Sequence, residues 1–545
     1  MRPLEETAKA PPSRLWRMAG WVLLVVCAVL PGLGALDGPF FIFDDLAYTK
    51  QNPFVTGQLP LWRVFCGPYM SHYAPLHHLL IYAQWHVCPD SPLVFRLVSL
   101  ALHVGAAFAV WRVLHALTGR EGLALGVALL WAAHPAHAEA VGWIIEQKTL
   151  GCGLFSFLAL AAYLSPMRTL AWRVALALAL LLIALLFKTH AVFVAPLLAL
   201  YELLLPRPLR RPGVPAGDAV PAPWPRRLIP TLPFFAVAIG FSLLALLSLE
   251  HGPTPAPWGL RDCLMNLPAT LLVYLEVALL PWKASFFHDL DRVLSFGSPA
   301  FAGNLLLLAA LAVGGFLCVA RPARGLFGFC LLGWSVAIGP MLNLSVWSFP
   351  AYDRFEYMAL PLLLLALALV VENLLHAALQ NYEIWQAKLV VALWAAALAP
   401  MALLGAQRGA LFSSELAVML DAAEKAPRAA FAYLGIAQCL KQAWRQAGAE
   451  QQPEEQRRLA LAAYGAMNRA RDCPDYKHFY HNDINMLLDV GQMLLLSGLE
   501  DEAQVLLKCV ATERRWAAFP EEVEGARKLL AGIEAHRKAT GAGPR

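Results

Sequence analysis

Apolar runs of about 17–25 residues, the length a helix needs to cross a bilayer, recur along the chain as far as residue 404. They fall at Leu15–Ala35, Leu93–Leu117, Gly122–Ala133, Thr149–Leu164, Thr169–Phe187, Ala191–Leu205, Leu228–Leu249, Phe301–Ala320, Leu326–Leu342, Tyr357–Val371 and Leu389–Leu404, with an ambiguous run at Cys263–Leu280. From about Gln407 the pattern changes to charged, Ala-rich sequence of helical period. Helices are expected there at Ala429–Gln446, Glu454–Arg471, Ile484–Leu496, Asp501–Glu513 and Glu521–Lys538. Pro427, Pro474 and Pro520 punctuate this tail at spacings of 47 and 46 residues. Paired helices at a fixed interval predict a stacked helical repeat. Gly498-Leu-Glu-Asp-Glu-Ala503 opens a helix as tetratricopeptide units do, although the interval exceeds theirs, and a plain helical bundle is the alternative.

The basic residues fix the sides. Arg14 and Arg17, Arg112 and Arg120, Arg168 and Arg173, five Arg within 206–227, Arg321 and Arg324, and Lys388 fill every second connection. Such loops belong in the cytoplasm. Only one crossing is needed between Leu249 and Arg321, so Cys263–Leu280 is expected to re-enter or lie at the surface. That gives eleven spans, the N-terminus inside and the tail outside. The first span has no small-residue cleavage site and is read as an uncleaved helix.

Composition agrees. Of 545 residues, 59% are hydrophobic and 15% charged, against about 25% charged in soluble proteins. The fold class is therefore all-α, a polytopic membrane protein with a helical tail. The net charge of +5 is topological and implies no nucleic-acid partner, because no basic run with interleaved aromatics occurs. Ten cysteines without a CxxC argue against a structural zinc site. Cys66 and Cys88 share one outer loop and are a candidate pair.

The unusual polar residues gather on the outer face. Asp44 and Asp45 stand where the chain leaves the first span, followed by Asn52-Pro53. Adjacent acids repel, which raises the pKa of one of them and suits a general base; a solvated turn is the alternative. The same loop holds His72, His77 and His78. The second outer loop reads His134-Pro-Ala-His137-Ala-Glu139-Ala-Val-Gly-Trp143, then Glu146-Gln-Lys148, and the third holds Lys188 and His190. Later loops carry His288, Asp289 and Asp291, and Tyr352-Asp353-Arg354-Phe-Glu356-Tyr357. Lys148, Lys188 and Arg354 oppose the positive-inside trend and are expected to have anionic partners; snorkelling to lipid phosphates is the plainer reading for the lysines. His134 and His137 form a weak metal signal, since HExxH is absent.

These residues carry a family resemblance. Phe41-x-x-Asp44-Asp45 followed by Asn52-Pro53-x-Val55 resembles the first lumenal loop of the transmembrane O-mannosyltransferases with tetratricopeptide repeats and of their bacterial relatives. His134-Pro-x-His137-x-Glu139-x-Val-x-Trp143 with Lys148 is similar to their second outer loop, and Lys188 to a lysine after their fifth span. Asp353-Arg354-Phe-Glu-Tyr357-x-x-Leu-Pro361 resembles their last motif, with Phe355 in place of a tyrosine and Gln147 where arginine is frequent.

The resemblance implies a GT-C glycosyltransferase fold. It implies a multi-pass enzyme of the cytoplasmic (inner) membrane whose active site and tail face outward. The donor would be a polyprenyl-phosphate sugar, mannose or another hexose. No cofactor is implied; a divalent cation is compatible and not required. The membrane domain would span 1–406 and the tail, 407–545, would dock a protein or glycan acceptor. Asp44, or its neighbour Asp45, would be the base of an inverting transfer, while Lys148, Lys188 and Arg354 with His134, His137 and Glu139 line the donor phosphate and sugar. Two other classes compete. A non-catalytic scaffold would not require the far-side cations, and a lipid-linked-sugar transporter would place polar residues at midplane in repeated halves.

Overall fold

A computed structural model of the chain describes residues 14–70, 72–166, 169–205, 223–247, 260–291, 293–319, 321–342, 351–379, 383–474, 476, 481–514, 516 and 519–540. Most of the expected Pro-rich basic loop (206–222) and Arg168 lie outside them. The described residues are helical or irregular, with one isolated bridge, Tyr69 to His72. Ten described helices are long and apolar enough to cross a membrane: Arg14–Leu33, Pro92–Thr118, Ile144–Leu164, Leu170–Phe187, Trp224–Leu247, Arg261–Leu279, Pro299–Cys318, Arg324–Met341, Leu360–Ala378 and Leu389–Leu411. Glu121–Ala132 and Thr189–Leu204 are shorter apolar helices. The chain is a multi-pass membrane protein.

Ion pairs label the two ends of the bundle. At one end Arg17 meets Glu121 at 2.9 Å and Arg120 meets Glu372 at 2.7 Å. At the other end the loops after helices Arg14–Leu33 and Leu260–Leu279 meet the tail. Glu415, in the tail's first helix, accepts the amide of Ile42 at 2.7 Å. The tail thus lies at the same end as the loop that follows the first span, which requires an odd number of crossings. Helix Leu260–Leu279 packs on loops of this end. Its Asn266 exchanges hydrogen bonds with Val293, and its Tyr274 hydroxyl accepts the Tyr352 amide at 3.4 Å. Asn266, Thr270 and Pro268 within it suit a segment packed on loops rather than immersed in lipid. By length and composition it is nevertheless one of the ten described candidate spans.

The last span packs closely on the first. A methyl group on Gly405 or Gly409 would strike the carbonyl oxygen of Ala133 or Pro31; small residues at four-residue spacing permit such backbone approach. This helix runs without a break from Glu383 to Leu411, so the expected boundary at 406/407 falls inside it. The tail's own first helix, Glu415–Lys425, begins at Ser414, whose hydroxyl caps it. Helices Ala430–Ala449, Pro453–Asp472, His481–Leu496, Glu500–Thr512 and Pro520–Thr540 follow, close to the expected bounds. Gly498, at φ +71°, makes the left-handed turn that only glycine adopts at low cost. The loops of this end and the tail share one apolar core. Phe43 packs against Trp143 (5.8 Å) and Phe431 (5.2 Å), and Phe41 stacks on Phe412. Cys66 and Cys88 are unbonded.

Candidate active site

The loop after the first span is held by carboxylates and amides. Asp45 is fully buried; one oxygen accepts the Phe41 amide at 2.9 Å and the other the Ile145 amide at 3.2 Å. It ties the first outer loop to the second. Asn52 accepts the Phe54 amide at 3.0 Å and donates to the Tyr48 carbonyl at 3.1 Å, closing the turn before Pro53. Arg96 is buried at the outer end of its span and donates to the carbonyls of Gly38 and of Pro39 (2.9 Å). Glu415 takes the amides of Ile42 and Phe43, at 2.7 and 3.1 Å. With its neighbours fixed on both sides, Asp44 is half-buried, and no donor among the described residues bonds its carboxylate.

Two of the three cations that the sequence singles out, Lys148 and Arg354, are near enough for their charges to act on Asp44, and Lys188 joins them around one carboxylate. Glu146 sits between them: its carboxylate is 3.6 Å from Lys148 Nζ, 3.4 Å from Lys188 Nζ and 3.6 Å from Arg354 Nε. Arg354 also pairs with Glu139, which accepts the Arg354 amide at 3.1 Å. Thr149 donates to Glu146 and accepts from Lys188 at 2.8 Å. The cluster is deeply buried: the Glu139 and Glu146 side chains are 0% and 2% exposed and those of Lys148 and Lys188 7% and 9%. Three positive charges face two negative ones. Arg354 stacks 3.9 Å from the Tyr352 ring, and Lys148 stands 5.2 Å from the Tyr48 ring. The anionic partners expected for the far-side cations are thus Glu139 and Glu146.

Burial pushes the Asp44 carboxyl up to about 6, against the pull of Lys148 and Arg354. Burial also pushes Asp45 up to about 7, opposed by the Phe41 amide, Arg96 and the Ile145 amide; repulsion from Asp44 is the least of these influences. The expected raised acid is present, but desolvation rather than pairing is its main cause. Burial works against the Arg354 charge, and Glu139 and Glu146 outweigh it, holding the guanidinium more firmly protonated than usual.

No protein-family model matches the chain. It is similar to protein O-mannosyl-transferases. A Caenorhabditis elegans protein O-mannosyl-transferase is 27% identical over 152 residues, which is 26% of this chain and 22% of the relative. For Xenopus laevis tmtc2 the figures are 29% over 142 residues, 24% and 17%, and for Drosophila melanogaster Tmtc1 29% over 177 residues, 30% and 21%. The chain spans only about a fifth of the length of these curated relatives. Among solved structures, an Archaeoglobus fulgidus oligosaccharyltransferase tethered with an acceptor peptide overlaps 73% of this chain and 55% of its own, at 15% identity and a TM-score of 0.40. The archaeal oligosaccharyltransferase AglB of Archaeoglobus fulgidus, in complex with an inhibitory peptide and a dolichol-phosphate, overlaps 72% and 56%, at 14% identity and 0.40. Overlap this loose carries no argument about chemistry.

Against the pattern expected from the O-mannosyltransferases, the structure gathers Glu139, Lys148, Lys188 and Arg354 around Glu146 and sets Asp44 beside them. It does not bring His134 and His137 into that ion cluster. His137 packs among Trp131 (4.7 Å), Tyr357 (4.8 Å) and His103 (5.6 Å), and His134 accepts the Ala136 amide at 3.2 Å. Among the described residues no group of three or more His, Cys, Asp or Glu is placed to hold a metal ion. Gln147, at the arginine position, forms a reciprocal amide pair with Gln84 at 2.8 and 2.9 Å, and Phe355 lies 5.8 Å from Lys188. Asp353 holds His288 at 2.7 Å, while Asp289 and Asp291 pair with the tail's Arg428. Glu146, Arg96 and Glu415 were not singled out from the sequence. Glu146 had a legible signal, as the carboxylate two residues before Lys148.

Glu415 is a positioning residue. In the transferase proposed below, Glu415→Ala is expected to lower kcat by on the order of ten- to a hundredfold, because small displacements of a reacting group cost that much, with donor KM unchanged. Glu415→Gln, which keeps one acceptor oxygen, recovers part of the loss. Equal kcat in the alanine variant and the wild type would sever Glu415 from the site.

Proposed function

We propose that the chain is an inverting GT-C glycosyltransferase. It moves mannose or another hexose from a polyprenyl-phosphate donor to a hydroxyl of an acceptor, a protein Ser or Thr, on the extracytoplasmic side of the inner membrane. One observation carries the reading: a half-buried carboxylate, Asp44, lies within electrostatic reach of Lys148 and Arg354, two members of a buried cluster of three cations on two carboxylates. The acceptor oxygen attacks the anomeric carbon as its proton passes to Asp44. The bond from that carbon to the phosphate oxygen breaks, and the polyprenyl phosphate leaves with the electron pair. Lys148, Lys188 and Arg354 stabilise the charge that develops on it, and preorganised cations in a desolvated site do so strongly. Similarity to O-mannosyl-transferases supports the reaction class, and the distribution of arginines supports the side. The tail, which contacts the Asp44 loop directly, docks the acceptor. A transporter would gather its polar groups at midplane; here they collect at one end.

The reading sets the pH dependence. Asp44 accepts a proton only when ionised, and its pKa is raised to about 6. Below that value kcat/KM should fall about tenfold per pH unit, and above it the rate should level. A rate that rises on acidification through pH 6 would remove Asp44 as the base. The reaction itself is tested by incubating the purified chain with radiolabelled polyprenyl-phosphate mannose and a Ser/Thr-rich envelope protein. Label on the protein is expected; label transferred only from a nucleotide sugar would contradict the proposal.

A further inference from the structure

A second polar pocket lies apart from the ion cluster, where the last span meets the tail. It has a volume of about 230 Å³ and is lined by Pro135, Trp282, Leu404, Gln407, Arg408, Asp421 and Lys425 among others. Arg408 is 4% exposed and gives Nη1 to Asp421. Its Nε and Nη2 are buried with no partner among the described residues. These two N–H groups form one edge of the guanidinium, the parallel pair of donors that fits two oxygens of a phosphate or carboxylate. Leaving such donors unpaired in the interior is costly. Lys425 is 3.0 Å from Asp421 and donates to the Ala284 carbonyl at 2.8 Å, which leaves one of its three N–H groups. Two cations therefore share one acid, and the pocket carries a net positive charge.

Its position narrows the ligand. Arg408 is in the last turn of the final span. Trp282, 57% exposed, sits where an interfacial tryptophan marks the headgroup level. Leu404, Leu411, Pro135 and Pro281 supply apolar wall. We propose that this pocket binds a phosphate group, carried by a lipid headgroup or free, on the unpaired edge of Arg408 with Lys425 beside it. A ligand seated there bridges the last span, the 281–284 loop and the first tail helix, and so fixes the tail to the membrane domain. The inference does not depend on the transferase reading.

Calorimetry on the full-length protein in a non-ionic detergent tests it, with dioctanoyl phosphatidylglycerol and inorganic phosphate titrated separately. Binding by the lipid alone identifies a headgroup site, and equal binding by inorganic phosphate identifies a free-anion site; either carries the proposal. Arg408→Gln should weaken binding by about tenfold or more, since a lost charge-assisted hydrogen bond has at least that effect. Asp421→Asn should tighten it severalfold, because it releases Arg408 and removes a competing charge. A purely structural Arg408–Asp421 pair would make both variants alike. If Arg408→Gln does not fold, Lys425→Gln and Asp421→Asn decide. Affinity unchanged across the variants, or lost only in Lys148→Gln, overturns the assignment.

Discussion

Asp44→Asn is expected to reduce transfer by at least about a hundredfold, the contribution of a positioned base, while donor affinity and folding stay near wild type. The neighbouring Asp45→Asn should behave differently. Both Asp45 oxygens are engaged by backbone amides of two loops, and an asparagine offers only one acceptor. That variant should lose thermal stability as well as activity. The distinction follows from burial: Asp45 is sealed and fully bonded, whereas Asp44 is half-buried with no donor on its carboxylate among the described residues. Melting temperature in detergent and single-turnover transfer, measured together on both variants, separate the roles. Near-normal turnover of Asp44→Asn would remove it from the mechanism, and full activity with unchanged melting in Asp45→Asn would remove the loop tie.

Glu146→Gln should be the most destabilising substitution in the site. The Glu146 carboxylate neutralises parts of three buried cations at 3.4–3.6 Å. Without it Lys148 and Lys188 lose their anion, and Glu139 serves Arg354 alone. Breaking a buried ionic network in this way costs about 3–5 kcal/mol. The loss should appear as a large drop in melting temperature and in folded yield. A bound phosphate would restore the missing negative charge, so added polyprenyl phosphate should raise the melting temperature of Glu146→Gln more than that of wild type. Melting indistinguishable from wild type would mean that the cluster is solvated rather than buried.

The membrane helices were legible because each is a long apolar run. Counting charged loops set residues 260–279 apart from the other apolar runs, and Asn266 and Tyr274 give the helix its contacts with neighbouring loops. Asp44, Lys148, Lys188 and Arg354 stood out as charges where hydrocarbon is near. What held them was harder to read. Glu415 meets Ile42 across 373 positions of chain, and no local pattern announces such a contact. Arg96 sits inside an apolar span and works through backbone carbonyls, which have no sequence signature. His77, read as an outer-loop residue, is fully buried against Tyr48 at 5.4 Å, because it stands on helix Pro75–Val87, which packs among its neighbours. The separation of His134 and His137 from Glu139 is a matter of which face of one short helical turn points inward, and two residues of spacing did not decide it.

Equilibrium binding of radiolabelled polyprenyl phosphate to the purified full-length chain tests the central claim most directly, since that lipid is the proposed leaving group of the reaction. The wild type should bind it and release it on competition with the sugar-bearing donor. Lys188→Gln should bind at least about tenfold more weakly, the effect of one charge-assisted contact. Wild-type protein that fails to bind the lipid, or a Lys188→Gln variant that binds it equally well, would contradict the account.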